Sequence, residues 1–191
     1  AHRRQRQMCI RDSPHTVRNF RPIGLLSTVY KLYTGFVSDV LSDFAEEYGL
    51  LQQGQEGFRR LRGTSRQLHA LLAAVEDSNL TGSDLIVTYI DFVNAFGSVD
   101  HRRLYRTMRD LGIPEDCIQV IEDLYDGATT QVVTPKGNTE DIPFLGRGTV
   151  QGDTLSPLVF LLCLEPLLRW LASGSRGYTL KTSGETLDGL A

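Results

Sequence analysis

From residue 27 onward the apolar positions fall into blocks of two periods. Val29, Leu32, Tyr33, Phe36, Val37, Val40, Leu41 and Phe44 recur three and four apart, which predicts a helix through about Ala45 with Ser27 or Thr28 as its cap. Gly35 interrupts that stripe and Arg21-Pro22 sets an extended approach to it. A second helix is expected from Thr64 or Ser65, burying Leu68, Leu71, Leu72 and Val75. After a polar turn at 79–84, residues 85–90 (LIVTYI) read as a buried strand that runs out at Asp91. Asp100 starts a helix facing Leu104, Met108 and Leu111 inward and closed by Gly112; Pro114 opens the next, with Ile118, Ile121 and Leu124 inward and Gly127 at its end. Residues 129–134 and 142–150 read as two strands joined by a polar turn at Lys136, Gly137 and Asn138. Ser156-Pro157 begins a helix apolar almost all round, which Pro166 kinks or ends, and 178–182 and 187–191 look like short strands. The helices and short strands together predict an α+β fold.

Composition adds limits rather than direction. Hydrophobic residues make up 41% of the 191, and no uninterrupted apolar run approaches the roughly 18 residues of a membrane span. The longest, 157–164, meets Glu165 and Pro166, so no membrane partner is expected. Cys9, Cys117 and Cys163 show neither metal spacing nor a disulfide framework, which suits a reducing, intracellular setting. Residues 3–13, RRQRQMCIRDS, resemble the translation of a widely used transposase-type sequencing adapter, so residues 1–13 are set aside from fold reasoning. They hold four arginines and one aspartate, and without them the formal charge moves from −3 to −6. That balance does not advertise nucleic-acid binding.

Candidate chemistry sits in three places. Asp91, at the end of a predicted buried strand, is costly unless it is paired, capping a turn, or bound to a cation. Arg59, Arg60, Arg62 and Arg66 crowd a glycine-bearing loop beside a helix start, which reads equally as a phosphate-binding loop or a solvated turn. Gln151 and Asp153 lie on a tight loop just ahead of a buried helix, where polar side chains are caps or ligands.

Taken together, NFRPI with LLSTVYKL, QEGFRRLRGTS, YIDFVNAFGSVDH and RGTVQGDTLSP resemble, in order and spacing, the motifs of reverse transcriptases. They are most similar to those of non-long-terminal-repeat (LINE-like) retrotransposons, with group II intron maturases as relatives. The resemblance implies a right-hand polymerase: fingers over 14–84 and a partial palm over 85–191, with 113–150 reaching towards the fingers. It implies RNA-templated DNA synthesis from an RNA template, a DNA primer and deoxynucleoside triphosphates, within a retrotransposon polyprotein. Asp91 and the carbonyl of Phe92 then correspond to ligands of two Mg²⁺ ions, Mn²⁺ being a substitute, set about 3.5–4 Å apart for nucleotidyl transfer. Phe96 corresponds to a gate against the ribose 2′-hydroxyl, and Gln151 and Gly152 to the floor beneath the nascent base pair. Arg59 and Arg62 correspond to a fingers loop on template or triphosphate, and Arg21 and Lys31 to a motif with salt-bridging or nucleic-acid roles. The location implied is nuclear for a eukaryotic element; the oligomeric state is not readable.

Two departures qualify that expectation. Gly97 stands where the family commonly has Asp, and the Tyr-Ala-Asp-Asp motif expected just past LDGLA is absent, so the fragment alone is expected to be inactive. The alternative is a decayed or domesticated polymerase domain that only binds nucleic acid or a partner, which the −6 charge favours mildly. An RNA-templated RNA polymerase is disfavoured by the bulky Phe96.

Overall fold

In the computed structural model, which describes residues 23–143, 146–174 and 177–187, five helices carry three small two-stranded antiparallel sheets. The architecture is mixed and α+β. Arg21, Arg21-Pro22 and the adapter-like segment lie outside the described residues, as do 188–191 of the last expected strand.

Ser27 accepts a hydrogen bond from the Tyr30 N–H at 3.2 Å and starts α1 (Thr28–Glu47), which passes Gly35 unbroken. The predicted stripe divides: Leu41 and Ala45 are buried, whereas Val29, Leu32, Tyr33, Phe36 and Val40 stay exposed. α2 (Thr64–Thr81) begins after Gly63 without a side-chain cap. Its expected inner face is a correction: Leu68, Leu72 and Val75 are exposed, and Ala74 and Asp77 are buried instead. The face carrying Asp77 is turned towards the hairpin of β5 (Tyr178–Thr179) and β6 (Thr186–Leu187). Burial pushes the Asp77 carboxyl up, but hydrogen bonds from the Lys181 N–H, from the Thr182 hydroxyl and N–H, and from the Tyr178 hydroxyl outweigh it. The carboxyl is held well below the usual carboxylate range.

Residues 85–90 form no strand. They are extended but join no ladder, and Ile86 is 90% exposed, with Tyr89 and Ile90 exposed beside it. A strand needs donors and acceptors on a neighbouring chain segment, and among the described residues none pairs with 85–90.

The core lies in the second half. Asp100 accepts from the Arg103 N–H at 3.1 Å and starts α3 (His101–Asp110); Gly112, at φ +80°, closes it in the left-handed region that glycine adopts without strain. α4 (Glu115–Tyr125) follows Pro114 with Glu115 and Asp116 in its first turn, which suits the helix dipole. α3 packs on both α4 and α5 (Ser156–Ser173). Leu104, Met108, Ile118, Ile121, Leu155, Val159 and Leu162 are fully buried there, with Leu41 and Ala45 of α1 joining the cluster. Each such aliphatic side chain contributes about 1.5–3 kcal/mol by leaving water. Cys117 and Cys163 are half-buried and free, and burial raises both thiols.

α5 continues as one helix through Pro166, correcting the expected stop there, and is long and apolar enough by length and composition to cross a membrane. It nevertheless carries the fully buried carboxylate of Glu165, which accepts from the Gln52 N–H (3.1 Å to either oxygen) and from Arg169 Nε (2.9 Å). Arg169 also donates to the Leu50 carbonyl at 2.8 Å, so α5 is tied to the turn after α1. The expected strand 142–150 is also corrected. β1 (Thr129–Thr130) pairs with β4 (Ile142–Pro143), and β2 (Val133–Thr134) with β3 (Gly137–Asn138); residues 144–145 of the expected strand lie outside the described residues. Beyond them, 146–150 is loop.

Candidate functional site

Asn94, at φ +53°, turns the chain after Asp91, and its carbonyl accepts from the Ser98 N–H (2.9 Å) and hydroxyl (2.8 Å). Asn tolerates this left-handed conformation better than most residues. The turn leads into a single 3₁₀ turn, Phe96–Ser98. That segment is zipped antiparallel to 146–149. The Thr149 N–H donates to the Phe96 carbonyl (2.9 Å), the Gly148 N–H to Val99 (2.8 Å) and the His101 N–H to Gly146 (3.1 Å), with an Asp100–Arg147 bridge between. Gly148 takes φ +90° against Gly97, where a Cβ would lie 3.4 Å from the Gly97 carbonyl oxygen. A Cβ on Gly97 would in turn collide with the Asn94 side chain, so a glycine fits this turn.

The same loop carries Gln151 and Gly152 against the first described residues. The Gly24 N–H donates to the Gln151 carbonyl at 2.7 Å; Gly152, at φ +110°, would place a Cβ 3.0 Å from the Gly24 oxygen. Three of the four sequence motifs therefore meet backbone to backbone. The fourth arrives through a ring: Phe58 of the arginine loop stands edge-on to Phe96 at 6.2 Å and 79°. Phe96 lies 5.2 Å from Phe160 of α5, and Phe160 lies 6.4 Å from Phe92. Phe58 and Phe160 were not singled out in the sequence; an aromatic in an apolar helix or a charged loop carries no local signal that it faces a site.

The arginines are less free than their spacing implies. Arg59 is buried, its Nε and Nη2 donating to the two Glu46 carboxylate oxygens (2.7 and 2.6 Å) and its Nη1 to the Gln52 and Gln55 carbonyls (2.9 and 3.0 Å). The hydrogen-bonded guanidinium holds the Glu46 carboxyl below its usual range. Arg59 thus braces the loop from inside instead of facing a ligand. Arg60 pairs with Asp39 and Asp43, while Arg62 and Arg66 share Glu56 at 3.3 Å. Arg60 and Arg66 are exposed, and Arg62 is partly buried. The Lys31 side chain is exposed and makes no ion pair among the described residues.

Asp91 is exposed, with no hydrogen bond or ion pair among the described residues. Asp91 and the Phe92 carbonyl are oxygen donors of the right kind for a hard divalent cation. Among the described residues, however, no three His, Cys, Asp or Glu side chains gather as cation ligands. Asp91 and the Phe92 carbonyl are thus a partial donor set among the described residues.

The family described as “Reverse transcriptase (RNA-dependent DNA polymerase)” matches the chain over residues 10–180, beginning inside the adapter-like segment. The chain is 32% identical over 159 residues to a “Retrovirus-related Pol polyprotein from type-1 retrotransposable element R2” of Popillia japonica, covering 81% of this chain and 21% of that protein. To the similarly named R2 protein of Nasonia vitripennis it is 29% identical over 154 residues, covering 80% and 14%. To the “RNA-directed DNA polymerase from mobile element jockey” of Drosophila funebris it is 28% identical over 151 residues, covering 77% and 16%. The chain thus spans about a fifth or less of the length of these relatives.

Proposed function

This chain belongs to the reverse transcriptase (RNA-dependent DNA polymerase) family, and we propose from that premise that it is the fingers and partial palm of a retrotransposon polymerase. Residues 14–84 are the fingers and 85–191 the palm portion, acting on an RNA template, a DNA primer and deoxynucleoside triphosphates. The observation that carries the reading is the pairing of 96–101 with 146–149, which sets Phe96 and the Gln151–Gly152 loop side by side.

Each residue then has a task. The Phe96 ring, braced between Phe58 and Phe160, excludes a 2′-hydroxyl by occupying its space. Gly152 lets the backbone approach the base pair where a side chain would obstruct it, and Gln151 orients the nucleotide there. Arg62 offers charge to phosphate once it lets go of Glu56, and Arg59 keeps the loop in shape. Divalent cations, Mg²⁺ or Mn²⁺, supply charge neutralisation in such enzymes, with Asp91 as the first carboxylate ligand. No step is routed through them, because the described donors do not complete the centre.

The binding-only alternative draws on one observation: Arg59, Arg60 and Arg62 of the loop and Arg66 of α2 are already paired with carboxylates of this chain, the last two sharing Glu56. Primer extension by a longer polyprotein carrying these residues separates the two. Extension should occur on RNA with Mg²⁺ or Mn²⁺ and be lost in Asp91→Ala, whose folding is unchanged. Phe96→Ala should admit ribonucleotides. Extension that survives Asp91→Ala removes Asp91 from the site; no extension by the intact protein favours the binding-only domain.

A further inference from the structure

His101, the first residue of α3, grips the segment paired with it twice. Its backbone N–H donates to the Gly146 carbonyl, and its ring Nε2 lies 2.8 Å from the Gly148 carbonyl oxygen. A carbonyl only accepts, so Nε2 carries the proton and donates. The His101 side chain is buried, and its ring packs against Tyr125 (centroids 4.6 Å apart, 35°) and Tyr105 (6.1 Å, 44°). Those contacts restrict how the imidazole can turn.

The bonded carbonyl gains its importance from the group that shares its plane. Gly148 C=O and Thr149 N–H belong to one planar trans peptide unit and point in opposite directions. The N–H donates to the Phe96 carbonyl at 2.9 Å, with the Thr149 hydroxyl more distant at 3.5 Å. The unit is therefore held on one side by the His101 ring and on the other by the backbone of Phe96. Gly148 has no Cβ to restrain rotation of that unit, so a turn of it meets little local resistance and breaks both bonds together. We propose, resting on the polymerase reading, that His101 is a positioning residue for sugar selection. Its Nε2–H locks the 148–149 peptide, which holds the backbone of Phe96 and so the place of that ring against a 2′-hydroxyl.

Three variants separate the donor from the packing. His101→Phe keeps an aromatic ring beside the two tyrosines and removes the proton, His101→Leu removes both, and His101→Gln gives up the ring but keeps an N–H of similar reach. In the 191-residue chain, amide exchange at Thr149 should quicken about tenfold in His101→Phe and His101→Leu, and much less in His101→Gln. In a longer polyprotein that extends primers, the ratio of kcat/KM for deoxy- over ribonucleotides should fall about tenfold in the first two variants, as one lost hydrogen bond allows. His101→Gln should restore most of it. Selectivity that follows the ring instead of the donor, or that none of the variants changes, overturns the proposal while primer extension persists. So does Thr149 exchange that stays at the wild-type rate in both donor-less variants. No extension by the unmutated protein overturns the polymerase reading, and the sugar-selecting role of His101 falls with it.

Discussion

Residues 157–164 and 86–93 are two apolar stretches of equal length, and the molecule treats them oppositely. The first opens α5 and buries Leu158, Val159, Leu161 and Leu162, with α5 packed on α3. The second leaves Ile86, Val87, Tyr89, Ile90, Phe92 and Val93 exposed along an extended segment. Both are mainly apolar, although 86–93 also holds Thr88 and Asp91. A helix satisfies its own backbone and needs only a surface to lie on, whereas an extended segment needs another segment's N–H and C=O groups before burial becomes affordable.

The sharpest way to break this contrast is to truncate one side chain on each side. Leu162→Ala, at a fully buried position, should cost about 2–5 kcal/mol in urea unfolding, while Ile86→Ala should stay within about 0.5 kcal/mol. Equal costs would mean that 86–93 is buried in solution. A smaller loss, about 1–3 kcal/mol, is expected from Glu165→Ala, which strips the acceptor from the Gln52 N–H and Arg169. Glu165→Gln should recover part of it by keeping one carbonyl oxygen. Smallest, and visible through pH, is Asp77. Because its folded pKa is depressed, its contribution is present above the unfolded value of about 3.9 and fades only as pH falls towards the folded one. Amide exchange at Lys181 and Thr182 should therefore be faster in Asp77→Asn than in the wild type at pH 7. The two should converge in strong acid.

Helix starts and stops were legible in the sequence because their causes are local. Ser27 and Asp100 cap within three residues, and Gly112 closes its helix within the same turn. Three of the four buried carboxylates among the described residues, Asp77, Asp153 and Glu165, were not. Asp77 bonds to residues 101 to 105 positions away, Glu165 to one 113 away and Asp153 to one 119 away. No window of sequence contains both partners. The same limit explains α2, where the leucine spacing was real but the polar anchor chose the inward face. At the site, the motifs that converge were readable as motifs. Their contact through main-chain hydrogen bonds, and the inward turn of Arg59, came only with the fold.

Gly24 and Gly152 have a consequence for how such chains can change over generations. Any side chain at 152 meets both a positive φ and the Gly24 oxygen, and any at 24 runs into Val150. Neither site can be explored one mutation at a time. Shrinking Val150 would open position 24, so 24 and 150 should be inherited together, while 152 holds its glycine whatever stands at 24.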